Sequence, residues 1–276
     1  MVILLALGSA MVIGFGDYWG GRAAAHRPAL VVAFYVQTTA ALSAVVLVPL
    51  LGWNSLHPGD LLLGALAGTF YAAASVALFH GLANGRMSIV APITAAVGVL
   101  LPVLLDIVVG VSLRPITWAA MALVIVAVPM VALRPGGDHR LSLRAELGLS
   151  LAAGAGYATF FVLFGHTSSD SGQWPIGMSC LSGALVVGAI AAAQRIPFGR
   201  PPRMAIAAGL CSIIAGAGIA RALQIGPISL ATVLGSLYPV VTAGLAVRFD
   251  GERLRPINAA GIVLAVGAAG VVAASH

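Results

Sequence analysis

The chain has 276 residues, of which 60% are hydrophobic and only 8% are charged, against about 25% charged in an average soluble domain. So few charges cannot cover a water-soluble surface. A nucleic-acid binder is also excluded despite the formal charge of +6, because the basic side chains are all arginines, scattered and placed mostly at the ends of apolar runs.

The apolar runs are about 18 to 25 residues long, the length a helix needs to cross about 30 Å of hydrocarbon. Breaking the chain at charge, Pro and Gly clusters predicts ten spans, at about 2–21, 29–51, 60–83, 87–111 and 115–133, then about 145–165, 174–194, 203–225, 228–248 and 256–274. The first run has the look of a signal-peptide core. It lacks a basic start and is followed by equally apolar runs, so it reads as the first membrane helix. Residues 135–143 are too polar and too rich in helix breakers for lipid. They form a linker between a first five-helix unit, 1–134, and a second, 144–276. The predicted class is therefore all-α, a polytopic membrane protein with ten transmembrane helices as two inverted five-helix repeats. The 34 glycines and 15 prolines suit close helix packing in a bilayer, and Cys180 and Cys211 read as small packing residues.

With ten spans, Arg22, Arg27, Arg86, Arg134, Arg140 and Arg144 share one side with the arginines at 195, 200, 203, 248, 253 and 255. Arg114 stands alone on the other side. The positive-inside rule then places the protein in the inner (cell) membrane with both termini outside the cytoplasm.

A shift of 141 residues lays Leu113-Arg114-Pro115-Ile116 on Leu254-Arg255-Pro256-Ile257, and also Leu82 on Leu223, Gly85 on Gly226 and Ser88 on Ser229. Five spans per half is an odd number, so the second half runs in the opposite sense to the first. Inverted halves place a substrate site near the midplane and rock to expose it alternately.

Several segments carry a family likeness: GFGDYWGG from Gly14 to Gly21, GLANGRMSIVAP from Gly81 to Pro92, RALQIGPIS from Arg221 to Ser229, SLYP from Ser236 to Pro239 and GERL from Gly251 to Leu254. With the Gly-spaced last helix from Gly261, the chain resembles the drug/metabolite transporter superfamily in its ten-helix EamA-type branch. The resemblance implies secondary transport of metabolites, amino acids or drugs, often export. It also implies a central cavity among helices one, three, four, six, eight and nine. One departure is that Gly251 is followed by Glu252 whereas Gly110 is followed by Val111.

A charge near the bilayer centre costs about 2.5–3.5 kcal/mol on insertion scales, so Asp17, His80, Asp106 and Arg221 should face protein or water. One arrangement pairs Asp17 with His80, near Arg86, at the inner mouth, and Asp106 with Arg221 at the outer one. In another, each charge snorkels to its nearest interface. A shielded Asp17 or His80 is also a candidate carrier of a coupling proton. Pro92, Pro102 and Pro239 are expected to bend helices that take part in gating. Tyr18, Trp19, Gln37, Tyr71, Tyr157, Gln224 and Tyr238 are candidates for the cavity wall, where they would bind substrate together with Asp17, His80 and Arg221. Trp53, Trp118 and Trp174 suit the membrane interface.

No paired His with metal spacing, nucleophile elbow or phosphate loop occurs, and His166, Thr167, Ser168 and Asp170 lie in a short loop. No cofactor, no metal and no catalytic residue is therefore expected. The predicted partners are the lipid bilayer and a small-molecule substrate. A monomer suffices to enclose the cavity, and a dimer is optional. The leading function is a secondary exporter of small organic solutes by alternating access. The alternatives are an uncoupled facilitator or exchanger, a membrane-embedded enzyme and a passive channel.

Overall fold

The computed structural model of the chain describes residues 1–52, 55–85 and 141–250, with isolated residues in the stretches 90–130 and 256–264. The described residues are all-helical, without strands. Their helices are α1 (Val2–Ala24), α2 (Ala29–Leu50), α3 (Pro58–Asn84), α4 (Leu143–Gly165), α5 (Trp174–Ala193), α6 (Arg203–Ile225), α7 (Ile228–Gly235) and α8 (Tyr238–Asp250), with one 3₁₀ turn at Ser169–Ser171. Helices α1 to α6, 6 in all, are long and apolar enough to cross a membrane, so the protein is a multi-pass membrane protein. Most of the predicted spans 87–111, 115–133 and 256–274, and most of the linker 135–143, lie outside the described residues.

Proline sets most of the helix starts. Pro28, Pro202 and Pro227 occupy the N-cap positions of α2, α6 and α7, and Pro58 and Pro175 sit in the first turns of α3 and α5, where a missing N–H removes no helical hydrogen bond. Ser142 caps α4 instead, its hydroxyl accepting from the Ala145 N–H at 3.3 Å.

The bundle is built with small residues inside and large ones outside. Leu4, Leu42, Val45, Leu62, Phe70, Leu151, Leu185 and Ile214 are exposed, as a lipid-facing surface requires, while alanines dominate the buried positions. Small residues let backbones approach, and in lipid that packing, rather than expulsion of water, holds helices together. Helix α1 packs on α6, α3 on α4 and α5, and α2 on α5 and α6. Two glycines decide the closest of these crossings. A Cβ at Gly68 of α3 would fall on the Ser179 carbonyl oxygen of α5, and a Cβ at Gly209 of α6 would come within 2.6 Å of the Val36 carbonyl oxygen of α2.

Several boundaries recur at a constant spacing. Helices α1 and α4 start, and end, 141 residues apart, and so do the last residues of α3 and α6. The two C-caps that follow, Gly85 (φ −112°, ψ −173°) and Gly226 (φ −156°, ψ 177°), are both extended. Gly85 abuts Glu146 in the first turn of α4, and Gly226 abuts Val2 in the first turn of α1.

The ends of the bundle differ in character. At one end gather Arg22, Arg27 and the α5–α6 loop, tied by the Tyr35 hydroxyl donating to the Gly199 carbonyl at 2.6 Å. At the other end the α2–α3 and α4–α5 loops interlock, the Ser55 N–H donating to the Asp170 carbonyl at 3.2 Å.

One expected span is not continuous. The run at about 228–248 is interrupted at Ser236 and Leu237, between α7 and α8. The cause is Pro239, which offers no N–H to the Gly235 carbonyl and crowds the backbone just before it. At Pro239 the helix is thus interrupted for two residues, while the bends expected at Pro92 and Pro102 fall outside the described residues.

Candidate functional site

The central feature is a partly open cavity of about 800 Å³, the space open to solvent included, lined by residues from α1 through α6, by the α7–α8 break and by Thr94, Ala95 and Gly98. Helical spacing explains which side chains reach it. Positions three and four apart share a face, so α1 supplies Ile13 and Asp17, α4 supplies Tyr157, Phe160 and Phe161, and α6 supplies Ser212, Ala215, Gly216 and Ile219. Gln37 comes from α2, Tyr71 from α3, and Ile176, Ser179 and Cys180 from α5. The break that Pro239 imposes presents Gly235, Ser236 and Tyr238.

The walls are largely aromatic and apolar. The Tyr71 ring stands edge-on to Tyr157 at 5.3 Å and 5.2 Å from Phe160. Ser75 anchors this group, its hydroxyl donating to the Tyr71 carbonyl at 2.9 Å and lying 3.3 Å from the Tyr157 hydroxyl. The Tyr71 hydroxyl also lies 3.5 Å from the Ser212 hydroxyl, 141 positions later in the chain. A smaller pocket of about 340 Å³ continues the cavity toward the arginine end, lined by Asp17, Ser75 and Phe79 among others.

The polar groups fall into two kinds. Asp17, half-buried, has no hydrogen-bond or ion-pair partner among the described residues, and it is the one carboxylate among the described lining residues. No arginine or histidine is among those residues. Gln37 Nε2 and the Tyr238 hydroxyl are buried without a partner among the described residues. Burying such groups unpaired costs free energy, so these three positions are where the cavity is chemically incomplete.

Of the residues singled out from the sequence, the structure brings Asp17, Gln37, Tyr71, Tyr157 and Tyr238 together on this cavity and puts Tyr18, Trp19, His80, Arg221 and Gln224 elsewhere. Tyr18 is buried beside the cavity wall, its hydroxyl accepting from Arg22 at 2.9 Å and its ring 6.3 Å from Phe249. Trp19 packs on Phe15 at 5.9 Å. Gln224 serves the far loop instead, its amide nitrogen donating to Thr167 Oγ1 at 3.2 Å, the Ser168 carbonyl at 3.3 Å and the Gly172 carbonyl at 3.1 Å.

The expected pairing of Asp17 with His80 is not formed. Phe79 takes the place on α3 that faces α1, its ring packed where a Gly20 side chain would stand, and His80 lies about 100° further round the helix. There His80 is exposed and lines a groove of about 1190 Å³ at the arginine end, with His26, Arg27 and Asn84. Arg221 is half-buried, off the cavity face of α6, and has no hydrogen-bond or ion-pair partner among the described residues. Its expected partner Asp106 lies outside them, as does Arg86.

The sequence reading missed Phe160, Phe161, Ser179 and Ser212. The first two follow Tyr157 by three and four positions, and Ser212 stands 141 positions after Tyr71, the offset noted in the sequence, so both signals were present. Cys180 packs in the core as expected and also lines the cavity.

The comparisons agree with this architecture. Residues 145–274 match the EamA-like transporter family. Over this part the chain is similar to EamA-like transporters. The family belongs to the drug/metabolite transporter superfamily and consists of membrane transporters of small molecules. Among solved structures 29 chains match. One crystal structure, described only as that of a protein, shares the fold with a TM-score of 0.74 over 97% of this chain and 97% of its own, at 17% identity. No curated protein matches the chain.

Proposed function

We propose that this EamA-like protein is a secondary transporter that exports small organic metabolites by alternating access between two inverted five-helix halves, residues 1–134 and 144–276, joined at 135–143. The observation that carries the reading is the central cavity, walled by helices from both halves and holding polar groups without partners among the described residues.

The contacts support the two-fold relation. Exchanging α1, α2 and α3 for α4, α5 and α6 turns the α1–α6 packing into the α4–α3 packing and the α2–α6 packing into the α5–α3 packing, and each of these is observed. The Tyr71–Ser212 contact joins positions 141 apart, as groups beside a two-fold axis would be. The ten-span reading also requires the end of α3 and the start of α4 to lie at the same end of the bundle, and Gly85 stands against Glu146. Inverted halves around one midplane cavity are the architecture in which rocking exposes a site to each side in turn.

The loop arginines favour the cytoplasm for the arginine end and an inner (cell) membrane setting, with both termini on the other side. Asp17 is the proposed carrier of a coupling proton, being the one carboxylate among the described lining residues. The family's transporters are in general not enzymes, and the reading assigns no catalytic residue.

Purified protein in liposomes loaded with a panel of radiolabelled solutes tests the proposal. Saturable efflux of at least one solute, accelerated by a pH gradient and free of single-channel currents in planar bilayers, is expected. Saturable efflux indifferent to the gradient would instead mark an uncoupled facilitator, and unitary currents would mark a channel.

A further inference from the structure

The chemistry of the cavity narrows the substrate class, on the assumption that the transport reading above is right. Asp17 places a carboxylate at a wall made mostly of Ile, Ala, Gly, Phe and Tyr side chains. A carboxylate in such surroundings is stabilised only by an opposite charge or by donors, and among the described residues it has neither. The described residues offer no ready substitute. The sequence contains no lysine, His80 lies in the groove at the arginine end, and Arg221 is off the cavity face.

The remaining wall suits a cation's body. The aromatic faces of Tyr71, Tyr157 and Phe160, with the Tyr71 ring within 5.3 Å of the other two by centroid, carry the negative quadrupole that attracts an ammonium group. Gln37 Nε2 is a donor left unpaired in the same cavity, and the Tyr238 hydroxyl is also unpaired among the described residues, so a ligand oxygen would find a donor there.

From these observations we infer that the cavity takes an organic monocation, an amine or quaternary ammonium with an aromatic or branched apolar body, its charge facing Asp17. Amino acids and other carboxylate-bearing solutes fit poorly. Their carboxylate would meet no arginine, lysine or histidine among the described lining residues and would be repelled by Asp17.

The test holds the ring constant and varies the charge. Calorimetric titration of the purified full chain in detergent at pH 7.5 compares 2-phenylethylamine, 2-phenylethanol, 3-phenylpropionate and phenylalanine. The expected order has the amine tightest and the propionate weakest. Asp17→Asn should weaken the amine at least about tenfold, a change of about 1.4 kcal/mol, and leave the alcohol unchanged. Asp17→Glu, which keeps the charge, should retain most of the amine's affinity and guards against misfolding of the first variant. The inference is overturned if the propionate or phenylalanine binds as tightly as the amine, if the amine does not bind, or if Asp17→Asn leaves its affinity within about twofold. Liposome efflux separates the two levels of the argument. Flux of some solute with no preference for the amine removes the cation assignment and leaves transport standing, whereas amine binding without flux of any solute removes transport and leaves the site.

Discussion

Asp17 and Asp60 are both acidic residues on membrane helices, and the protein treats them in opposite ways. Asp60, in the first turn of α3, is buried, yet one of its carboxylate oxygens accepts from the Ser171 hydroxyl at 2.6 Å and from the Ser168 N–H at 3.2 Å. It also sits at a helix N-terminus, where the macrodipole favours a negative charge. Asp17, near the middle of the bundle, has none of these compensations among the described residues and opens onto empty space. A buried charge whose partners are all supplied by the chain holds loops together, and one left without partners is available to a ligand.

The comparison breaks most readily at Asp60. Asp60→Ala leaves the Ser171 hydroxyl and the Ser168 amide without their acceptor, and should cost about 2–4 kcal/mol of stability, read from chemical unfolding in detergent, with KM for efflux unchanged. A stability within about 0.5 kcal/mol of wild type would show that the loop is held by other contacts. At Asp17 the effect should fall on binding rather than folding. Asp17→Asn removes an uncompensated charge, so its unfolding midpoint should equal or exceed that of wild type while amine affinity falls at least about tenfold, or about 1.4 kcal/mol.

Gln224 sharpens the description of the loop end. Replacing it with leucine removes three hydrogen bonds from the α4–α5 loop at a net cost of about 1 kcal/mol. Amide hydrogen exchange at Ser168 to Gly172 should then quicken while exchange in α1 is unchanged. The smallest effect belongs to the Tyr71–Ser212 contact, which at 3.5 Å is at the limit of a hydrogen bond. A double-mutant cycle of Tyr71→Phe and Ser212→Ala should return a coupling of about 0.5 kcal/mol or less. The same measurement on Asp60→Ala with Asp17→Asn should be additive, since the two groups share no partner.

The chain alone determined that the protein lives in a bilayer and where its described helices run. Apolar run length, flanking prolines and loop arginines are local properties, and α1 to α6 begin and end within a few residues of the boundaries they predict. The 141-residue spacing at which α1 and α4 start and end was equally legible, because matching residues at that offset stand in the sequence itself. What the tertiary structure decided is the rotation of each helix about its own axis. That rotation puts Phe79 rather than His80 against α1, turns Gln224 to the loop and brings Ser212 to Tyr71. It is set by small residues such as Gly68 and Gly209 that choose how closely a neighbour approaches, and no local pattern encodes it in helices with apolar side chains on every side. Asp60 shows the same thing for partners, since its acceptor role depends on a serine 111 residues away.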